Sequence, residues 1–199
     1  MMSMKRLLSV LVLASISAHG FAADVIYLKG AEAKDALAKY ETALRQNPDD
    51  FEALKSAGII LHQISRTAPD KQRVETAEQY LKKAQKLHPE DQEVAGWLGS
   101  VITMKALFET DPGKQTFFVK SGTRLLDKAV QKDPDNLVVR LTRAYNSMEL
   151  PVFLKRTSFA VVDFKHYLAL CESRECPAEH LADARGKLAE AEKILAENR

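Results

Sequence analysis

Apolar residues recur along this chain at helical spacing, and the recurrence is itself repeated. Ala36, Tyr40, Ala43 and Leu44 fall four, three and one apart. That spacing sets one aromatic and several small residues on a single helix face. The run breaks at Asn47-Pro48-Asp49-Asp50. Pro48 cannot continue a helix and pushes Asn47 out of the helical region. Asp49 or Asp50 is then placed to cap the next helix, which carries Leu54, Ala57, Gly58 and Leu61 on one face. The same grammar returns at Ala77, Leu81, Ala84 and Pro89, followed by Ala95, Leu98, Gly99 and Ile102. It returns again at Gly122, Leu126, Ala129 and Pro134, followed by Leu137, Leu141, Ala144 and Met148. A helical unit that repeats at some tens of residues signals a solenoid.

Taken in order, the pattern predicts helices over Ala31–Gln46, Phe51–Ser65, Val74–Leu87, Gln92–Phe108, Gly122–Lys132, Leu137–Met148, Phe153–Leu170 and Ala178–Ala196, and no strand. Phe117 to Val119 belong either to the first turn of the Gly122 helix or to a loop tucked against the array. The first helix has no partner before it, so it reads as a half-unit with a polar outer face at Glu32, Lys39 and Arg45. The last carries Leu181, Ala184, Leu188, Ala191 and Leu195 on one stripe, which suits a helix covering the end of an open array.

The string Ala36-x3-Tyr40-x2-Ala43-x4-Pro48, followed by Leu54-x2-Ala57-Gly58-x2-Leu61, resembles the tetratricopeptide repeat, and the likeness extends over residues 30–170. The second unit keeps a Leu98-Gly99 pair. The third departs, with Gly122 in the small-residue place and Arg143-Ala144 for Leu-Gly. Pro48 to Pro89 is 41 residues and Pro89 to Pro134 is 45, against a family period of about 34. The surplus is expected between the helices of a hairpin, at Arg66–Arg73 and Glu109–Gln115. The resemblance implies an all-α fold, a right-handed α-solenoid of about four helical hairpins with a C-terminal capping helix, forming one domain over 24–199. It also implies a concave groove lined by the first helix of each hairpin. Glu52, Lys55, Ile59 and His62 would come from the first unit. Glu93, Gly96, Ser100 and Thr103 would come from the second, and Val138, Leu141, Tyr145 and Met148 from the third. Such a groove takes a partner's helix or extended peptide. The Lys/Asn/Arg clamp that some members use for a C-terminal carboxylate is not reproduced, since only Lys55 fits and Ile59 and Ser100 stand where amides are wanted. Tyr145 and Met148 read equally well as core.

Residues 1–23 read as a secretory signal, with Lys5 and Arg6 before a Leu7–Ala18 apolar run that is short for a membrane span. An uncleaved anchor is the alternative. Removing the segment takes 29 basic residues to 27 against 27 acidic ones. That balance lacks the basic footprint of a nucleic-acid binder, and the remainder offers no stable membrane insertion. An oxidising compartment favours a Cys171–Cys176 disulfide. The alternative there is zinc on His166, Cys171, Cys176 and His180, whose spacing matches no recognised zinc pattern. No nucleophile with a His partner and no phosphate loop stands out, so the expectation is a non-enzyme without a cofactor. Arg140, Arg143, Lys155 and Arg156 form a basic cluster that either meets an acidic segment or pairs with Asp135, Glu149 or Asp163. Together these readings point to a periplasmic protein of a Gram-negative bacterium, acting as an adaptor, scaffold or assembly factor for an unidentified protein partner. An accessory subunit of an envelope transport or secretion system is a narrower form of the same reading. A small-molecule or metal-binding protein is the alternative of a different class.

Overall fold

A computed structural model describes residue 25 and residues 28–198, so the reading of residues 1–23 as a signal lies outside the described residues. All regular structure among the described residues is helical, with no strand. We number the helices α1 (Gly30–Gln46), α2 (Phe51–Thr67), α3 (Lys71–Leu87), α4 (Gln92–Met104), α5 (Pro112–Lys132), α6 (Leu137–Glu149), α7 (Thr157–Leu170) and α8 (Ala178–Glu197). Short 3₁₀ turns follow α4, at Lys105–Phe108, and α6, at Val152–Leu154.

Each helix packs on the next in chain order, and α4 also packs on α6. The turns are set by the local sequence. Asp50, Asp70, Asp91, Asp111 and Asn136 each accept a hydrogen bond from the backbone N–H three residues on, at 2.8–3.1 Å. Each such cap contributes about 1 kcal/mol. The acidic pairs at Asp49-Asp50 and Glu90-Asp91 therefore serve helix starts. The residues beyond a 34-residue period do not form loops, as the spacing had suggested. The α2–α3 connection is only three residues, 68–70; the α4–α5 connection, 105–111, is a four-residue 3₁₀ turn and three further residues; and α2 and α3 each run 17 residues. The surplus lengthens the helices, because nothing in Arg66–Arg73 breaks a helix before Pro69. Phe117 to Val119 likewise lie inside α5. At the other end, α7 begins at Thr157, later than the apolar pattern predicts, because Pro151 and a left-handed Lys155 (φ 58°) interrupt the run.

Close helix approach depends on glycine at one crossing. A Cβ on Gly122 of α5 would lie 2.2 Å from Thr103 Oγ1 and 2.4 Å from the Gly99 carbonyl of α4. The departure of the third unit from a small alanine thus has a steric cause. Apolar packing falls into a large cluster across α1–α4 and a smaller one across α6–α8, joined by Ala95, Ala129, Val130 and Val139. Where the apolar core thins, an ionic network takes over. Asp163 of α7 is fully buried, and it accepts from Arg140 Nη1 at 2.7 Å and from Arg143 Nε and Nη2 at 2.7 and 2.8 Å. Arg143 also reaches Asp127 of α5 at 3.2 Å, and Arg156 grips that carboxylate with both Nη atoms at 2.7 and 2.9 Å. Burial alone would push the Arg143 guanidinium down, but its bonds to Asp163 and Asp127 hold it above its ordinary value. The three arginines of the basic cluster are thus paired internally, with Asp163 as one partner and Asp127 as another that the sequence did not suggest, while Lys155 stays exposed.

Two measurements test this packing. Gly122→Ala is expected to lower stability by about 2 kcal/mol or more through overpacking, whereas Gly186→Ala on α8, where a Cβ meets nothing within 4 Å, should gain about 0.5–1 kcal/mol. Urea unfolding of the two variants beside the parent reads both, and equal midpoints for the two would contradict the close crossing. Asp163→Ala strands two buried guanidinium groups and should cost about 3–5 kcal/mol in the same assay.

Candidate functional site

Helices α2, α4 and α6 lie side by side and run in the same direction. Lys55 near the start of α2 bridges to Asp91 and Glu93 at the start of α4, at 3.0 and 2.7 Å, and Arg66 at the end of α2 meets Glu149 at the end of α6 at 2.6 Å. The three helices border a cavity of about 770 Å³. His62, Gln63 and Arg66 come from α2, Trp97 and Ser100 from α4, and Val138, Leu141, Tyr145 and Asn146 from α6. The cavity is also walled at both chain ends, by Leu28, Lys29 and Glu32 before and within α1, and by Glu179, His180, Asp183 and Lys187 of α8.

A relay of neutral polar groups crosses the floor. His62 Nε2 lies 2.9 Å from Ser100 Oγ, and Asn146 Nδ2 donates to the same oxygen at 3.2 Å. The Ser100 hydroxyl can accept from Asn146 and still either donate to His62 Nε2 or accept from it, depending on the imidazole tautomer. His62 Nδ1, Trp97 Nε1 and Asn146 Oδ1 are all buried without a hydrogen-bond partner among the described residues. The Trp97 and His62 rings meet edge to face, 5.3 Å between centroids. Burial, and secondarily the charge of Arg66, pushes the His62 pKa down to about 3.

A second string crosses the mouth. The Arg66 guanidinium lies 5.5 Å from the Tyr145 ring, and the Tyr145 hydroxyl donates to Asp183 of α8. This links α2 to α6 and α6 to α8 above the floor.

Five of the residues expected to line a groove border this cavity: His62, Ser100, Val138, Leu141 and Tyr145. Lys55 is only 6% exposed, and its ammonium is spent on Asp91 and Glu93. Burial would lower its pKa, but the two carboxylates outweigh that and hold it up. Ile59 is core, and Thr103 donates to the Gly99 carbonyl beside Gly122. Glu52 is exposed at the start of α2, away from the cavity lining. The cavity therefore occupies only the later part of α2 and the middle of α4, while it runs along the whole of α6, from Val138 to Glu149. Toward the start of α2 and α4, Lys55 and its partners fill the space between these two helices. Reasoning from sequence missed Trp97 and Asn146, which sit on the same faces as Ser100 and Tyr145, three residues before the one and one after the other. It also missed the walls from α1 and α8, which no local pattern signals.

The Ser100–His62 pair spans 38 residues of sequence, so no local motif announces it. It is poorly suited to nucleophilic catalysis. An imidazole with a pKa about 3 is a weak base, and its Nδ1 has no carboxylate to stabilise an imidazolium. The arrangement holds polar groups in place rather than activating one.

The cysteines are joined, Cys171 Sγ to Cys176 Sγ at 2.03 Å, closing the α7–α8 turn. His166 Nε2 instead sits 2.7 Å from Asp135, and His180 faces the groove. The four residues of the zinc alternative are thus dispersed, with both thiols engaged. In comparisons with known proteins, no family model, curated protein or solved structure matches this chain.

The buried histidine gives a pH test. His62 has a folded pKa about 3 against an ordinary 6.5, so the folded state binds its proton less readily than the unfolded one. Its contribution is intact above pH 6.5 and is lost as pH falls toward 3. Between pH 7 and 5 this one group should remove about 2 kcal/mol of stability. His62→Gln should flatten that part of the curve, read as urea midpoints at the two pH values. An unchanged pH dependence in the variant would show that His62 binds its proton equally well in the folded and unfolded states.

Proposed function

We propose that this protein is a binding protein of the tetratricopeptide-repeat type, exported to the periplasm, which works as an adaptor or assembly factor for a protein partner. The partner would present an extended segment to the groove formed by α2, α4 and α6. The observation that carries this reading is the floor. Trp97 Nε1, His62 Nδ1 and Asn146 Oδ1 lie beneath the cavity surface, closed to water and without a protein partner among the described residues, so a bound segment reaches them once these side chains turn toward it. Leaving such groups unpaired costs about 1–3 kcal/mol each. A peptide backbone brings both donors and acceptors. The floor is neutral at physiological pH, which suits backbone amides better than a charged terminus. Leu28, Val138 and Leu141 supply apolar wall for a side chain. The weakness of the Ser100–His62 pair as a base supports binding over catalysis.

A second reading rests on the closure of the cavity at both ends. A site of about 770 Å³ falls within the range of small-molecule pockets, roughly 300–1,000 Å³, so a compact ligand is the alternative occupant.

Crosslinking separates the two. A photo-crosslinking residue at Gln63 or Lys187, both on the cavity wall, should capture one dominant protein in intact cells. The same probe at Glu52, outside the cavity, should not. Capture of nothing above background, with a small molecule retained in native mass spectrometry of the purified protein, would overturn the adaptor reading.

A further inference from the structure

Because α2, α4 and α6 run in one direction, their C-terminal ends share an edge, and α3, α5 and α7 start there. Five large apolar side chains stand exposed at two of the three turns on this edge. Leu107 (67% exposed) and Phe117 (63%) flank the α4–α5 turn, and Val152, Phe153 (79%) and Leu154 make up the α6–α7 turn. Both turns open into stretches without an acid. Pro112 to Leu126 holds Lys114, Lys120 and Arg124, and Leu150 to Val162 holds Lys155 and Arg156. Arg156 is engaged with Asp127. Lys114 reaches Glu109 only at 3.9 Å, and Lys120 and Lys155 form no ion pair among the described residues. The nearby acids are largely in use: Asp70 and Asp111 cap α3 and α5, and Glu149 holds Arg66. Glu75 on α3 and Glu109 in the α4–α5 turn remain as opposing charges, and the capping carboxylates of Asp70 and Asp111 keep theirs.

We propose that this edge docks on a membrane surface bearing anionic lipid. The shape of the α6–α7 turn favours a lipid surface over a protein. A 3₁₀ turn has three residues per turn, so Val152, Phe153 and Leu154 point in three directions about the turn axis, yet all three are exposed. A folded partner with a fixed face covers one or two such side chains, whereas a fluid interface surrounds all three. The lysines beside them supply attraction to anionic headgroups. Among the described residues no helix is long and apolar enough to cross a membrane, so the contact is peripheral and shallow. It is separate from the groove and does not depend on what the groove binds.

The test is flotation of the protein, purified as cells process it, with two kinds of vesicle. One contains phosphatidylethanolamine and phosphatidylglycerol, the other phosphatidylcholine alone. The expected result is binding to the first only, weakening as salt is raised. Lys155→Ala should lower the partition about fivefold, the equivalent of about 1 kcal/mol per lysine at an anionic surface. Phe117→Ser with Phe153→Ser should abolish it. Both aromatic positions are exposed, so helicity and urea midpoint should stay at parent values, and these are checked alongside. Absence of binding to either vesicle overturns the proposal. So does binding that the edge variants leave unchanged, which would place the attachment elsewhere on the chain. A soluble protein captured at Lys155 without any lipid binding would also overturn it and make the edge a protein interface.

Discussion

The carboxylate of Asp163 ties the second half of this molecule together. It sits on α7, fully buried, and both arginines that hold it come from α6. One of them, Arg143, passes the connection to Asp127 on α5. Three helices are thereby registered through one ionic junction at the place where apolar packing thins to a few small residues. A buried ion pair is weak evidence for stability, since desolvation offsets much of the attraction. What it supplies is geometry. The bidentate Arg143 contact fixes α7 in rotation as well as position, because both oxygens and two guanidinium nitrogens must meet. Phe159 lies under Arg156 at 3.8 Å and near Arg143 at 5.1 Å, so an aromatic plate also limits how the guanidinium groups can turn. Helix α8 follows α7, and α8 is a wall of the groove. The site therefore depends on an ionic contact that lies outside it.

The floor shows the opposite arrangement. Its polar atoms are neutral, and several are unpaired. Helices that pack side by side bring whatever their facing positions carry, and here those positions carry His62, Ser100 and Asn146 with Trp97 beside them. The three-membered relay satisfies its own middle and leaves its ends open. Buried polar groups in native proteins are nearly always paired, so a cluster of exceptions in the wall of one cavity differs in kind from a scatter of single ones. The depressed His62 pKa belongs to the same environment: the burial that keeps the ring neutral is the burial that leaves Nδ1 without water.

The helical grammar was legible because its signals are local. Proline and aspartate mark the first five turns, and alanine and glycine mark the close faces. These features gave the helix order, the capped turns at Pro48, Pro89 and Pro134, and facing positions on α2, α4 and α6. Gly122 stood out in the sequence only as a departure, and its cause is the Gly99 carbonyl and Thr103 hydroxyl on another helix. Lys55 shows the limit of reading one face. Its position on α2 is that of a groove residue, but Asp91 and Glu93 approach it from α4 and withdraw it. The same holds for Asp127, sixteen residues from Arg143 and paired with it. The length of the helices was misjudged because period alone cannot distinguish a longer loop from a longer helix. Only the absence of a breaker before Pro69 distinguishes them.

The walls of the groove differ in how well they are held. Helices α2, α4 and α6 have neighbours on more than one side. Helix α8 packs chiefly on α7, and only Ala184 and Ala191 are fully buried along it. Such a helix gains little from area, since two alanines remove few carbon atoms from water. It is held in addition by the Cys171–Cys176 bond at its root, by the Tyr145 hydroxyl on Asp183, and by Leu181 and Leu188 against the second cluster. The disulfide closes a short loop, so its entropic effect on the unfolded chain is modest. It also shortens the turn from which α8 projects, which narrows the range of angles that α8 can take. Tyr145 then determines which of those angles is occupied. The position of α8 beside the cavity is accordingly set by one covalent link and one hydroxyl–carboxylate contact, the first at the α7–α8 turn and the second between α6 and α8.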